Sequence, residues 1–195
     1  TRKESSAASD VYKRQAENRI TLINDDPVVK VNREAQSVTT QSGKEVDYDI
    51  CIFATGSKAF VLPIEGSDLP SVIGWRTIED TERIIDIANK KKKAIVIGGG
   101  LLGLECARGL LDQGMEVTVL HLAEWLMEMQ LDRKAADMLK ADLEKQGMHF
   151  ELQANTKKII GNDDVEAVQL ADGRVIETDL VVMAVGIRPY TEVAK

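Results

Sequence analysis

Residues 94–113 read AIVIGGGLLGLECARGLLDQ, and this stretch determines the expected fold of the chain. The apolar run at 94–97 predicts a strand, and apolar residues at helical spacing across 101–113 predict a helix. The glycine-rich turn between them has the pattern G-x-G-x-x-G. A loop of this kind that follows a strand and opens a helix is the context in which the pattern binds the diphosphate of a dinucleotide.

The loop and the first helical residues form a candidate phosphate site. Gly98 permits the tight turn, Gly100 lets the backbone approach a diphosphate, and Gly103 lets the helix pack on the strand. The helix N-terminus offers free N–H groups and partial positive charge to the phosphates. The alternative is a glycine-rich turn with a purely structural role. The candidate residues are Gly98, Gly99, Gly100, Leu101, Leu102 and Gly103.

The chain downstream of the loop continues a βαβ pattern. Gly147 ends a second amphipathic helix, and residues 171–174 (ADGR) are a strong hairpin signal. A final continuous apolar run is typical of a strand that is buried on both faces. The predicted elements are strands at 94–97 and 116–120, helices at 101–113 and 132–146, three short strands near 148–160, 165–170 and 174–177, and a buried strand at 180–184.

That last strand belongs to a sequence repeat. Residues 43–56 read GKEVDYDICIFATG, and residues 173–186 read GRVIETDLVVMAVG. The two segments align without insertions or deletions. A repeat at domain-sized spacing predicts two copies of one fold. We therefore expect an α/β protein with two nested Rossmann-like dinucleotide-binding domains, each with a β-meander. The glycine loop of the first copy would precede Thr1, so we expect the first domain to be incomplete.

The upstream half predicts a meander, a buried strand and a helix. Residues 49–54 (DICIFA) are continuously apolar after the Asp, which predicts a strand buried on both faces. Thr77 and Asp80 resemble a capping box at the start of the helix. Short strands are predicted at 19–24, 28–31, 37–40 and 45–48. The expected buried face of the helix is Ile78, Thr81, Ile84, Ile85 and Ala88.

Composition narrows the possible partners. The net charge is −7 with acidic and basic residues interspersed, which argues against a nucleic-acid partner. No apolar run reaches the length of about 18 residues that a membrane span requires, and no signal peptide is visible. Cys51 and Cys106 form no C-x-x-C pair, so we predict neither a metal site nor a dithiol centre, but two buried thiols. These features favour a cytoplasmic protein.

The residue that distinguishes NAD from NADP is expected at the end of the second strand, where an acid binds the ribose 2′-hydroxyl. His121 occupies that position, and Glu124 is close. A neutral His can donate a hydrogen bond to either cofactor, and a surface His at a strand end is equally common, so both the cofactor choice and the role of His121 stay open. Glu105, in the first turns of the helix, either complements the helix dipole or reaches the nicotinamide carboxamide.

The order of meander, ATG strand, linker, GGGxxGxE and AVGIRP resembles the FAD-dependent pyridine-nucleotide oxidoreductases over roughly residues 17–195. Three segments are similar to one branch, the large subunit of assimilatory NAD(P)H nitrite reductase. They are residues 95–105 (IVIGGGLLGLE), 125–132 (WLMEMQLD) and 179–189 (DLVVMAVGIRP). The 125–132 stretch is more distinctive than the glycine loop.

The resemblance implies further site residues. Val28 would contact the FAD adenine through its backbone, and Arg76 would reach FAD from the linker. Ala54, Thr55 and Gly56 would end a strand against FAD. Gly186 would lie beside the nicotinamide. The alternatives are a plain strand-to-loop turn at residues 54–56 and a surface arginine before a helix cap.

The resemblance also implies a domain organisation. The first nucleotide domain would bind FAD and the second NAD(P)H. The predicted segments are a disordered leader or junction artefact at 1–15, a partial FAD-binding domain at 16–74, a linker helix at 75–91, an NAD(P)-binding domain at 92–190, and the start of a return to the FAD domain at 191–195.

The implied activity is hydride transfer from NAD(P)H to FAD, which in the intact protein would feed nitrite reduction to ammonia through an iron–sulfur cluster and sirohaem. No residue of this segment is assigned as a catalytic acid or base, and the segment alone is not expected to be active. One alternative is a reductase for a small electron carrier such as rubredoxin or ferredoxin. Another is a non-catalytic dinucleotide sensor. Oligomeric state stays open.

Overall fold

The computed structural model describes residue 15 and residues 17–195, so all but one residue of the predicted leader lie outside the described part of the chain. The described residues form two compact units, one up to Thr55 together with Tyr190–Lys195, the other Gly56–Pro189. In chain order the elements are β1 (Val28–Asn32), β2 (Ser37–Thr40), β3 (Glu45–Asp47), β4 (Ser57–Ala59), β5 (Val72–Gly74), α1 (Ile78–Ala88), β6 (Lys93–Ile97), α2 (Leu101–Asp112), β7 (Glu116–His121), α3 (Arg133–Lys145), β8 (His149–Leu152), β9 (Thr156–Ile160), β10 (Ala167–Leu170), β11 (Val175–Glu177), β12 (Leu180–Met183), β13 (Ile187–Pro189) and a 3₁₀ turn at Glu192–Ala194.

The second unit is built on a five-stranded parallel sheet with the order β5-β12-β6-β7-β8. Parallel strands joined through helices are buried on both faces, which explains their continuous apolar sequences. The order reverses beside β6, because the chain moves from β6 to β7 on one side and reaches β12 on the other. Such a switch point opens a crevice at the carboxyl ends of the strands. The predicted α/β fold is confirmed.

The two faces of this sheet pack against different layers. Alternate residues such as Ala94 and Val96 of β6 join a core formed with helices α1 and α2. The intervening residues, such as Ile95 and Ile97, join a second core formed with the antiparallel sheet β9-β10-β11. The period of two along each strand therefore holds the sheet between helices and a meander.

Helix α1 begins with the predicted capping box. The Thr77 hydroxyl accepts from the Asp80 amide, and the Asp80 carboxylate accepts from the Thr77 amide at 2.9 Å. Ile84 and Ala88 are buried as predicted, but Ile78 and Ile85 are 75% and 39% exposed. Ile78 is the first residue of the helix, and at this end the side chain lies in solvent although its spacing matches the buried face.

The region predicted as one strand near 148–160 is two strands with different partners. β8 pairs with β7 in the parallel sheet, and β9 pairs with β10 in the meander. Gln153 separates them with a positive φ of 53°, a backbone conformation that redirects the chain. The other predicted elements of this unit are present to within one or two residues. A two-stranded pair, β4 with β13, was not predicted.

The first unit contains the predicted meander β1-β2-β3, but two other predictions for it are wrong. Residues 20–24 are irregular rather than a strand. Residues 49–54 form no strand and are not buried, since Ile50 and Ile52 are 82% and 83% exposed. No strand among the described residues lies beside this run, so its amides and carbonyls have no ladder to join.

The division of the chain differs from the sequence-based boundaries. Residues 56–74 lie in the unit that holds the glycine loop, because β5 pairs with β12 and β4 with β13. Tyr190 lies in the first unit. The assignment of each unit to a particular nucleotide stays a prediction. None of the helices in residues 17–195 has the length and apolarity needed to cross a membrane.

Candidate dinucleotide-binding site

A cleft of about 640 Å³ opens at the carboxyl ends of β6, β7 and β12 in the second unit. Gly98, Gly99, Gly100 and Leu101 form one wall, and residues 184–186 after β12 form another. This is the position at which open α/β sheets bind nucleotides. The remaining lining residues are Phe60, Leu62, Ile64, Ile97, Leu120, His121, Leu122, Glu128, Met129, Gln130, Ala154, Asn155 and Thr156.

Two of the loop glycines are required by close packing. Gly98 has a φ of +120°, and a Cβ added there would lie 2.4 Å from the Ala184 carbonyl oxygen. A Cβ on Gly103 would lie 1.9 Å from the Gly98 carbonyl oxygen. A larger residue at position 103 would therefore push α2 away from the loop, and one at position 98 would push the loop away from the segment that follows β12.

Gly100 is different because the space where a side chain would lie is open. A Cβ added there would have no atom of residues 17–195 within 4 Å, and the φ of −84° is available to any residue. Sterics within the chain therefore do not explain the glycine. Open space beside the residue that caps α2 is what a close-approaching diphosphate would require.

The start of α2 also has free hydrogen-bond donors. Gly100 is the N-cap and supplies no side-chain cap to the helix. The amides of residues 100–103 donate to no acceptor in the described part of the chain. Unpaired N–H groups at a helix N-terminus are a ready anion-binding site. The residues of this first turn therefore fit a phosphate group.

Gly99 is fixed by contacts that the sequence did not indicate. Its N–H donates to His121 Nδ1 at 3.0 Å, and its carbonyl accepts from the Met127 N–H at 3.0 Å. A Cβ on Gly99 would lie 2.7 Å from Leu126 Cδ2 and 2.8 Å from His121 Cγ. Residues 125–131 thus pack against the centre of the loop, and only a residue without a side chain fits at Gly99.

His121 is buried and uses both ring nitrogens within the protein. Nδ1 accepts from the Gly99 amide, so the ring proton is on Nε2 and donates to Glu128 Oε2 at 2.9 Å. The direct hydrogen bond to a ribose considered from the sequence would need a free ring nitrogen, and His121 has none. Its contacts make it a positioning residue for the loop.

Glu128 is a cleft residue that the sequence reasoning missed. Its side chain is 36% exposed, one oxygen accepts from His121, and the other has no partner among the described residues. Glu124, the acid noted near the strand end, does not line the cleft and lies 3.7 Å from Arg133. The 125–132 stretch was distinctive in the sequence, but only the fold shows that Glu128 returns to the end of β7.

The remaining predicted residues of α2 and the β12 loop fall in different places. Gly186 lines the cleft and has a φ of +118°. Leu102 is exposed in the first turn of α2 but is not part of the lining. Glu105 is exposed and borders a separate groove with Leu104 and Arg108, so the structure does not bring it to the cleft.

The predicted FAD residues are divided between the two units. Val28 and Thr55 line an apolar cleft of about 400 Å³ in the first unit, where the Thr55 hydroxyl donates to the Tyr190 carbonyl at 2.6 Å. Ala54 is exposed and is absent from that lining. Gly56 and Arg76 belong to the second unit. Arg76 is exposed, and its amide donates to Asp80.

The cysteines offer no reactive centre in the second unit. Cys106 is buried in the helical core, and burial raises the pKa of its thiol to about 12. Cys51 is half-buried and lines the first-unit cleft. No cluster of three metal-ligating side chains occurs in the described residues. The prediction of two buried thiols therefore holds for Cys106 only.

The profile of the pyridine nucleotide-disulphide oxidoreductase family matches residues 1–195. The chain belongs to this family. It is 52% identical over 175 residues to the nitrite reductase (NAD(P)H) of Bacillus subtilis, covering 90% of this chain and 22% of that protein. It is 34% identical over 178 residues to the rubredoxin-NAD(+) reductase of Ectopseudomonas oleovorans, covering 91% of this chain and 46% of the relative.

Solved structures agree with this assignment. A ferredoxin reductase from Rhodopseudomonas palustris superposes with a TM-score of 0.87 at 30% identity, over 93% of this chain and 45% of that one. An NAD-dependent persulfide reductase from A. fulgidus superposes with a TM-score of 0.86 at 30% identity, over 92% and 34%. The chain thus spans less than half the length of each of these relatives.

Proposed function

We propose that this chain is the NAD(P)H-binding portion of a flavoprotein oxidoreductase that passes hydride from NAD(P)H to FAD. The observation that carries the proposal is the open, unpaired start of α2. The amides of residues 100–103 have no acceptor in the described chain, and Gly100 leaves the approach to them clear. A dinucleotide diphosphate is negatively charged and can accept hydrogen bonds from these unpaired amides.

Each part of the cleft has a role in this proposal. The first turn of α2 holds the diphosphate, and the His121–Gly99 hydrogen bond keeps the loop in position. Gly186, beyond β12, leaves room for the nicotinamide half. When bound, the nicotinamide and flavin supply the redox chemistry, and the protein supplies position and electrostatics. No proton transfer at the nicotinamide is needed, so no catalytic acid or base is assigned.

The first unit supports a flavin only in part. Val28 and Thr55 border an apolar cleft, in which we place the adenine, and Ile50, Ile52 and Phe53 are exposed. We infer that this unit contributes to an FAD site that other parts of a longer protein complete. Ala54, Gly56 and Arg76 stay candidates for that site, as does Glu105 for the nicotinamide carboxamide.

Nitrite reduction is our proposal for the terminal reaction. The greater identity to the Bacillus subtilis nitrite reductase, 52% against 34% for the rubredoxin reductase, supports it. The iron–sulfur and sirohaem groups of such a reaction would lie in other parts of the protein. Reduction of a small electron carrier is the second candidate, favoured by the high structural similarity to a ferredoxin reductase.

The test compares two glycines of the same helix region. Gly100→Ala places a methyl group where the diphosphate would lie and should weaken NADH or NADPH binding at least about tenfold, or ~1.4 kcal/mol. Gly109→Ala is the matched control, because it too adds a Cβ that meets no atom of the described residues within 4 Å, but it lies two turns along α2. Fluorescence titration of both reduced cofactors measures the affinities.

Three outcomes are informative. Weakened binding in Gly100→Ala alone supports the proposal. Equal affinity in wild type and both variants would place the nucleotide elsewhere, and no binding by the wild-type chain would contradict the function. Flavin absorbance of the longer protein is a separate check, since a colourless protein that still binds NADH would indicate a sensor.

A further inference from the structure

We propose that Glu128 selects NADH over NADPH by accepting a hydrogen bond from the 2′-hydroxyl of the adenosine ribose. This inference rests on the proposed function and deepens it by naming the cofactor. Glycine loops of this type are usually paired with an acid at the end of the following strand. In this chain that position is His121, and the acid is Glu128, seven positions later in the 125–131 segment.

The fold places Glu128 where the strand-end acid would be. Its Oε2 is 2.9 Å from the Nε2 of His121, the last residue of β7, and both residues line the cleft. One carboxylate oxygen is held by the ring, and the other has no partner in the described residues. The ring thus orients a charged acceptor at the cleft and leaves half of it for a ligand hydroxyl.

The segment that carries Glu128 is tied to the phosphate site. Met127 donates to the Gly99 carbonyl and adopts a φ of +56°, unusual for a residue with a side chain. The amides of Gln130 and Leu131 both donate to the Met127 carbonyl at 2.8 Å, closing a turn. Because the Met127 amide donates to the Gly99 carbonyl, the turn that carries Glu128 is held against the phosphate-site loop.

The charge of the cleft separates the two cofactors. Among the described residues that line it there is no Lys or Arg, and Glu128 is the one carboxylate. The 2′-phosphate of NADPH adds nearly two negative charges at neutral pH. A site for it would need a cation, and here it would meet a carboxylate in a partly enclosed space.

The experiment titrates wild type, Glu128→Gln and Glu124→Gln with NADH and NADPH, following cofactor fluorescence. Wild type should bind NADH at least about tenfold more tightly than NADPH. Glu128→Gln keeps the shape but removes the charge, so the ratio should fall to about threefold or less. Glu124→Gln removes an equal charge outside the cleft and should keep the wild-type ratio.

A modified ligand provides a test that does not depend on a variant folding. Wild type should bind 2′-deoxy-NADH about tenfold more weakly than NADH, and Glu128→Gln should bind the two almost equally. Equal wild-type affinity for NADH and NADPH, or for NADH and its 2′-deoxy form, overturns the assignment. If wild type binds no dinucleotide, the proposed function itself fails, which is a distinct result.

Discussion

The two copies of the sequence repeat have the same pattern, but the apolar run is a buried strand in one and exposed in the other. In the second copy, Leu180–Met183 form β12, an interior strand of the parallel sheet, and all four side chains are at most 1% exposed. In the first copy, the equivalent residues 50–53 form no strand, and Ile50 and Ile52 are more than 80% exposed. Apolar sequence therefore permits a buried strand but does not produce one.

Neighbouring strands make the difference. β12 has β5 on one side and β6 on the other, in register over their shared length. The 50–53 run has no such neighbour among the described residues. A strand's hydrogen bonds and side-chain contacts both come from adjacent strands, so a sequence pattern is expressed only when its partners are present.

The largest expected effect comes from truncating equivalent residues of the two copies. Leu180→Ala should lower the free energy of unfolding by about 3 kcal/mol, because it leaves a cavity in a packed core. Ile50→Ala should change it by no more than about 0.5 kcal/mol, since the side chain is exposed. Urea unfolding followed by far-ultraviolet circular dichroism measures both. A large loss for Ile50→Ala would show that the 50–53 run is buried in solution.

A smaller effect should come from the Asp that precedes each apolar run. Asp179 Oδ2 accepts from the Lys93 amide at 2.9 Å and the Lys92 amide at 3.2 Å, anchoring the start of β12 to β6. Asp179→Ala should cost about 1.5 kcal/mol through loss of these charged hydrogen bonds. Asp49→Ala, at an exposed position, should be neutral in the same unfolding assay. Equal effects would mean that the anchor contributes nothing specific to the second copy.

The smallest expected effect is a pH dependence of stability that comes from Asp164, near the second copy of the repeat. Burial opposes ionisation of Asp164, but hydrogen bonds from Lys91 and Ser71 overcome it and lower the pKa of its carboxyl to about 2. The folded pKa is below the ordinary 3.8, so this contribution is present above pH 4 and is lost as the pH falls towards 2.

Because the Asp164 carboxylate is 36% exposed, solvent screening limits the contribution to about 1 kcal/mol. Lys91 also contacts the Asp179 carbonyl, so the pair supports the start of β12. Asp164→Asn should lower stability at pH 7 and flatten its dependence between pH 4 and 2. Thermal unfolding of wild type and variant across this range measures it. Parallel profiles would remove Asp164 from the account.

The part of the candidate site that the sequence indicated is the part whose residues are close together in the chain. The glycine loop, its strand and its helix are adjacent in sequence, so spacing alone located Gly98, Gly100 and Gly103. Glu128 was missed, because seven residues separate it from the strand end and a turn through Met127 returns it. The role of His121 depends on partners at residues 99 and 128, neither of which spacing could identify.

The sequence by itself determined the parallel sheet and the loop, which follow from periodicity and glycine positions, and the family, which follows from the resemblance of several segments to known members. Only the tertiary structure decided which apolar run is buried, which acid faces the cleft and which unit holds residues 56–74. Those outcomes depend on contacts between residues far apart in the chain. Burial and hydrogen bonding are properties of a residue's surroundings, and a linear pattern specifies them only when the surroundings are adjacent in sequence.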